Sequence, residues 1–592
     1  VPAAPKMATE QLTKQHNKQN NSKDGILQKL LIILLIIGLV VSIVFPFIEL
    51  ISRAVFSNGQ FVGLKNFIEY FSKPYLFQSM TNTITISVST TAISLTLAFL
   101  YAYALSRTGV RMKKMFTYIG LIPLFAPTMM HGIALAYLFG NNGLFTTGFF
   151  GFFEETFGWD LATSFDIYGP IGIIISEVVY TFPQAFLILT VALALTDNKM
   201  YEAADTLGAG TFRKFMTITI PEVKYALISA GFVCFTLSFT DFGAPKVVGG
   251  QYNVLATDIY KQVIGQQNFS MGATIGIILT VPAVIAFIVD RIVQRKQGGG
   301  ASAKAVAYRI KPNKFRDRLF TVYCAMIALA VFLLMGAIIL AVFTTFWPYD
   351  LSFTLDHLLF KNTAGDGLQP YWNSLMVSAI TAVVGTIVTF GGAYLIEKSR
   401  MMKVSRGIAY FLSILPLAIP GLVIGIAYVF FFNKRGFGLP FTDLGVLNPL
   451  HFLYGTIFIL VLANIVHFYS VTFMTANTAL KKLDPDFEPV SESMAVPFYK
   501  TFTRVTLPLS MPAILEMAMY YFVNSMTTIS AVIFLYSADL KLASIAIVNM
   551  NDAGNLASAA AMALLIVVTN IVVRVLYEVA VKLIRKRTNA YS

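Results

Sequence analysis

The feature that most constrains this chain is a succession of apolar stretches, each near or above the roughly 20 residues that a helix needs to cross a bilayer. Windows near 28–52, 82–105, 115–139, 169–196, 223–245, 271–293, 319–347, 371–396, 407–432, 450–480, 509–536 and 555–581 predict twelve transmembrane helices and an all-α membrane protein. Composition agrees, since 12% of the 592 residues are charged and 56% are hydrophobic, where a soluble domain carries roughly 25% charged residues. Prolines 46, 123, 127, 183, 416 and 420 fall inside these windows. A helical bundle satisfies the carbonyls they free, so they predict kinks rather than breaks. Cys234 and Cys324 sit in apolar runs without metal-ligand spacing and read as small buried side chains.

A formal net charge of +14 raises the question of nucleic acid, and the placement of the charges answers it. With a cytoplasmic N-terminus, Arg53, Lys65, Lys73, Lys246, Lys261, Lys361, Lys434, Arg435 and Lys541 fall outside, and 35 of the 44 Lys and Arg fall inside. That bias is the positive-inside signature of a membrane protein with both termini cytoplasmic. Residues 1–25 are polar and rich in Asn, Gln and Lys, so a disordered tail is expected. The apolar run after them is too long for a signal peptide and lacks its cleavage site, so it stays as the first span.

The second half repeats the first. Asn82 lies over Asn373, and Pro123, Pro127 and Gly132 over Pro416, Pro420 and Gly425. From Glu177 onward a constant offset of 287 residues places Pro221 on Pro508 and Asn268 on Asn555. The organisation expected is a tail (1–25), a first unit (26–293), a basic Gly-rich cytoplasmic linker (294–318), a second unit (319–587) and a short tail (588–592). Six spans per unit, an even number, give both copies one orientation, related by an axis along the membrane normal.

Between the fourth and fifth spans lies EAADTLGAGTFRKFMTITIP, Glu202 to Pro221. Ala203 and Ala204 favour a short helix, Gly208 can end it at positive φ, and Pro221 is expected to restart the chain into the next span. The spacing resembles the EAA loop of permease subunits of binding-protein-dependent ABC importers. The matching stretch before Pro508 keeps Leu507 but has Ala495 at the glycine position, and Glu488 falls one residue early, so the second turn and its Glu contact are expected to differ. The resemblance implies that Glu202, Ala203, Ala204, Gly208, Pro221, Glu488, Ala495, Leu507 and Pro508 couple the permease to cytoplasmic ATPase subunits, two copies per importer. It also implies an extracytoplasmic binding protein and the bacterial inner membrane.

No GxxxxGK[ST] is present, so ATP and Mg belong to the partner ATPase, and the chain itself is expected to carry no cofactor, no metal and no catalytic residue. Polar residues at membrane depth usually face a bundle interior. The repeat pairs Glu177 with Asn464, Tyr180 with His467, Ser238 with Ser525, Thr240 with Thr527 and Asp241 with Thr528, which makes all ten candidates for the pathway or for interhelical packing. Glu516 carries no assigned role, and His131 reads as a satisfied interior histidine. Segments 240–273 and 535–563 look like the matching stretches of 2-aminoethylphosphonate permeases, which makes that zwitterion the expected substrate. Ferric-iron, thiamine and polyamine permeases are the alternatives. An ion-coupled twelve-helix secondary transporter is the competing class, and an EAA-type loop in this place is what it leaves unexplained.

Overall fold

The structure is a computed structural model that describes residues 23–57, 60–149, 152–158, 165–297, 306, 308–310, 312–360, 367–437 and 446–589. Most of the N-terminal tail, the Gly-Gly-Gly run of the linker and the last three residues lie outside the described residues. Nine described helices are long and apolar enough to cross a membrane, or up to eleven spans if each of two bent pairs counts as one. The first unit contains α1 (Asp24–Val55), α2 (Pro74–Arg107), α3 (Lys113–Phe125) with α4 (Thr128–Phe139), α5 (Pro170–Ala194), the short α6 (Asn198–Thr206), α7 (Thr211–Thr240), the short α8 (Gly243–Val248) and α9 (Leu255–Tyr260), and α10 (Phe269–Gln294). The second repeats it as α11 (Lys314–Phe343), α12 (Gln369–Glu397), α13 (Lys403–Ala418) with α14 (Gly421–Phe432), α15 (Ile457–Lys481), the short α16 (Phe487–Ser493), α17 (Met511–Thr527), the short α18 (Ala543–Asp552) and α19 (Leu556–Ile584).

The expected third and ninth spans are broken, not kinked. The chain bends by 103° between α3 and α4 and by 112° between α13 and α14. Each limb of α3 and α4 runs only about 20 Å at 1.5 Å per residue, short of the roughly 30 Å hydrocarbon core. The cause is the doubled proline. Pro127 and Pro420 push Ala126 and Ile419 out of the helical region to ψ of 143° and 119°. The expected eleventh span is also shortened: α17 stops after 17 residues at Thr527, as α7 stops at Thr240. Other prolines behave differently. Pro46, Pro221 and Pro508 each sit just past a π-helical turn, over Val40–Val44, Phe215–Thr219 and Phe502–Thr506, which widens the coil where a backbone donor is missing. Pro221 therefore does not restart the chain, because α7 begins ten residues before it.

Hydrogen bonds confirm the repeat residue by residue. Asn82 donates to the Asn253 carbonyl at 2.9 Å, and Asn373 to the Lys541 carbonyl at 3.0 Å. Gln78 and Gln369 brace these asparagines identically, at 2.9 and 3.0 Å. Asn268 and Asn555 each accept from the backbone three residues on, at 3.1 and 3.4 Å.

The two units exchange their first spans. α1 packs on α13 and α14 of the second unit and on α10, while α11 packs on α3 and α4 of the first unit and on α19. Tyr428 donates to the Ser42 carbonyl at 2.8 Å, Glu49 faces Lys434 at 3.5 Å, and Tyr323 donates to the Leu97 carbonyl at 2.8 Å.

Candidate functional site

On the face that the charge bias makes cytoplasmic, the two loops that carry the motif form matching elbows. Asp197 caps α6 by accepting from the Lys199 amide at 3.1 Å, and Asn198 donates to Glu202 at 2.7 Å. Two backbone donors on Asp197, the Lys199 and Val306 amides, hold its carboxyl below the usual range, so the cap is ionised at neutral pH and is lost only as pH falls through that lowered value. Glu202 and Ala203 face outward, Ala204 is half-buried, and the chain turns at Gly208 with φ of 70°. Pro221, ten residues into α7, and Pro508, three residues before α17, are exposed, and Leu507 is half-buried beside Pro508.

The second elbow's turn was expected to differ, yet Ala495 takes φ of 55° and reproduces it. The closing bonds correspond pairwise: Gly208 to the Asp205 carbonyl and Ala495 to the Glu492 carbonyl, both 3.0 Å, with Ala209 and Val496 bonded to Ala204 and Ser491 at 2.9 Å. The displaced Glu488 does differ from Glu202, since it ion-pairs with Lys398 at 3.4 Å in a largely buried setting. What the motif did not reveal is a pair of apolar tips. Leu207 is 85% exposed and Met494, at the same repeat position, 70%; Phe212 and Tyr499 form a second exposed pair. The 287-residue offset would have found them. Apolar side chains held at the ends of rigid elbows suit insertion into a groove of a partner.

At membrane depth the pathway candidates gather where α7 and α17 stop. Thr240 and Thr527 bond carbonyls of their own helices, at 2.9 and 3.2 Å. Asp241 accepts from the Ala244 amide at 2.9 Å, so its carboxylate turns the chain from α7 into α8. Beside it lies the carboxyl of Glu177, wholly buried and without a hydrogen bond of good geometry. Tyr180 stands within electrostatic reach of both acids and of Tyr520 on α17, across the junction of the units. On the second unit the same positions are neutral. His467 packs under Gly421, where a Cβ would fall 2.9 Å from its ring. Asn464 is wholly buried, and Thr528 only continues the chain. Ser238 and Ser525 are buried with unbonded hydroxyls, a matched pair on α7 and α17. Tyr180, Asp241, His467, Tyr520 and Thr528 are half-buried. Glu516 is exposed. His131 is wholly buried facing the Pro123 carbonyl, without the good hydrogen bond expected of it.

Several charged groups escaped the sequence reading. Lys246, counted as an outside-loop residue, sits on α8 and pairs with Asp552 of α18 at 2.9 Å, joining the two units. Asp290 on α10 accepts from Ser229 at 2.6 Å and from Gln294 at 2.7 Å. Among the described residues no group of three or more His, Cys, Asp and Glu is placed to hold a metal.

A duplicated helical bundle with paired cytoplasmic elbows and a polar seam between its halves is the arrangement of a transport permease. Residues 94–299 and 390–586, more than half of the chain, match the family of binding-protein-dependent transport system inner membrane components, and the chain belongs to that family. It is thus a non-catalytic transport subunit of an ABC importer, a multi-pass inner-membrane component that works with an ATPase and a binding protein. Among curated proteins it is 25% identical to the ferric transport system permease protein FbpB of Actinobacillus pleuropneumoniae over 540 residues, 89% of this chain and 74% of that one. It is 26% identical to a putative ferric transport system permease protein of Haemophilus influenzae over 497 residues, 83% and 75% of the two chains. A putative 2-aminoethylphosphonate transport system permease protein of Salmonella typhi is 25% identical over 173 residues, 29% of this chain.

Proposed function

We propose that this chain is the fused permease of a ferric-iron importer, moving iron(III) delivered by an extracytoplasmic binding protein and driven by two copies of a cytoplasmic ATPase seated on the elbows at Gly208 and Ala495. The relatives named for ferric transport match across both units, while the phosphonate relative matches less than a third of the chain. This favours iron over the 2-aminoethylphosphonate expected from segments 240–273 and 535–563. The observation that carries the reading is the chemistry of the seam: Glu177 and Asp241 adjoin, with Tyr180 beside them. Carboxyl and phenol oxygens are hard donors, suited to a hard trivalent cation that can displace their protons. Transient attraction at one side of the seam, facing a neutral second side, lets a cation enter without being held.

The test is uptake into vesicles containing the complete importer. ATP-dependent accumulation of iron(III) citrate, lowered on the order of tenfold in Glu177→Gln with the ATPase still copurifying, is expected; one lost interaction of about 1.4 kcal/mol has that size. Accumulation of 2-aminoethylphosphonate without iron would overturn it.

A further inference from the structure

The linker between the units docks on the first elbow. The Asn198 amide donates to the Val306 carbonyl at 2.9 Å, the Val306 amide to Asp197 at 3.1 Å, and the Arg309 amide to the Asn198 side chain at 3.0 Å. The same Asn198 holds Glu202 of the motif. Beneath these bonds Arg107, the last residue of α2, is 2% exposed and has no ion pair among the described residues. Its guanidinium donates to the Leu193 carbonyl at 2.8 Å and to Thr196, both at the end of α5, and lies 4.1 Å from the ring centre of Tyr308 and 5.4 Å from that of Tyr201. Tyr201 and Tyr308 meet edge to face at 4.9 Å, and the Tyr201 hydroxyl bonds Thr219 on α7 at 2.9 Å. Further along, Asp317 at the start of α11 accepts from the Gly109 amide at 2.9 Å, and a side chain at 109 would clash with that carboxylate.

The second unit meets the same need with a charge. The residue aligned with Arg107 is Lys398, which reaches Glu488 directly, and beside it the Ser399 hydroxyl bonds Gln28 of α1 at 3.0 Å. A buried cation with no carboxylate in ion-pair contact is costly unless π faces and carbonyls replace one, and Glu222 acts on Arg107 only from beyond ion-pair distance. In the first unit, one of the two rings over the guanidinium, that of Tyr308, comes from the linker.

We infer that Val306, Tyr308 and Arg309 form a strap that completes the first elbow, with Tyr308 and Arg107 as positioning residues that fix α6 to the ends of α2 and α5 and to α7. Motion delivered to α6 by the ATPase then reaches three spans at once, and a loosened cage lets α6 move alone. The inference rests on the coupling role proposed for Glu202–Pro221. Docking, rather than the covalent tether, is what matters.

The experiment measures ATP hydrolysis and iron(III) citrate uptake by the complete importer in vesicles, with and without binding protein. Tyr308→Leu removes the ring and should lower substrate moved per ATP on the order of tenfold, the worth of one desolvated cation–π contact, with subunit assembly intact. Tyr308→Phe keeps the ring and should retain the wild-type ratio. A protease site inserted between Gly300 and Ala301 should leave the ratio unchanged after cleavage. An unchanged ratio in Tyr308→Leu, or equal losses in the Phe and Leu variants, would refute the strap, and loss on cleavage would assign the effect to the tether instead. Gly208→Val separates the two levels: if it uncouples while Tyr308→Leu does not, the strap falls and the coupling role stands, and if neither uncouples, both fall.

Discussion

At the scale of single residues, Ala495 shows how far a motif can drift before its geometry fails. Its φ of 55° lies in the left-handed region, where an L side chain costs about 1 kcal/mol. Gly208 holds φ of 70° in the first elbow, and a Cβ built there meets nothing within 4 Å, so the whole penalty of a substitution is in the backbone. Ala495→Gly should therefore stabilise the second elbow, and Gly208→Ala should weaken the first, each by about 1 kcal/mol. Amide exchange in 491–496 and 204–209 reads both changes, and slower exchange in neither region for Ala495→Gly would contradict the argument. The sequence placed both elbows correctly, and it misjudged the second turn because residue identity was taken as the limit on backbone conformation. Glu488 shows the opposite: its displacement by one residue was legible, while its ion pair with Lys398 needed the fold, since the partner lies 90 positions away.

Among elements, prolines separate what periodicity tells from what it omits. The apolar windows located most of the long spans, as α5 over Pro170–Ala194 shows against an expected 169–196, although α7 begins twelve residues and α2 eight residues before the expected starts. They could not separate a span from a bent pair, because α3 and α4 are as apolar together as one continuous helix. The signal that was present, two prolines four residues apart in each copy, is the one that breaks consecutive turns. The recurring asparagines carry a second lesson at this scale. Asn82 and Asn373 recur in both copies because each satisfies a loop carbonyl near the outer ends of α2 and α12. Removing a buried bond of this kind costs about 1–2 kcal/mol. Asn82→Ala is thus expected to lower the thermal midpoint of the purified importer while the substrate concentration for half-maximal uptake is unchanged. A shift in that concentration at unchanged midpoint would move Asn82 into the pathway.

For the whole molecule, the exchange of first spans was not legible, because lipid and bundle are equally apolar and give no sign of which half a helix leans on. The positive-inside count does set its frame. A cysteine at position 302 should resist an impermeant thiol reagent in intact cells and react after lysis, and equal labelling in both would invert the topology. Within that frame α7 leaves the cytoplasmic side and gives way to α8, so Lys246 stands toward the outer side of the seam, where it meets Asp552 of the other unit. Tyr260 lies 5.0 Å beneath the ammonium and steadies it. The pair is part-exposed, 21% on Lys246 and 41% on Asp552, so screening limits it to about 1 kcal/mol. That is enough to bias an equilibrium between closed and open outer ends by roughly fivefold. Asp552→Asn should then raise ATP hydrolysis in the absence of binding protein by up to about fivefold, as should high salt acting on the unmodified importer. The double reversal Lys246→Asp with Asp552→Lys restores the attraction and should bring hydrolysis back toward its original rate, while Lys246→Asp alone sets two carboxylates face to face and should raise it furthest. Equal basal rates in all four proteins would show that the outer ends are held by apolar packing and that the ion pair only decorates the seam.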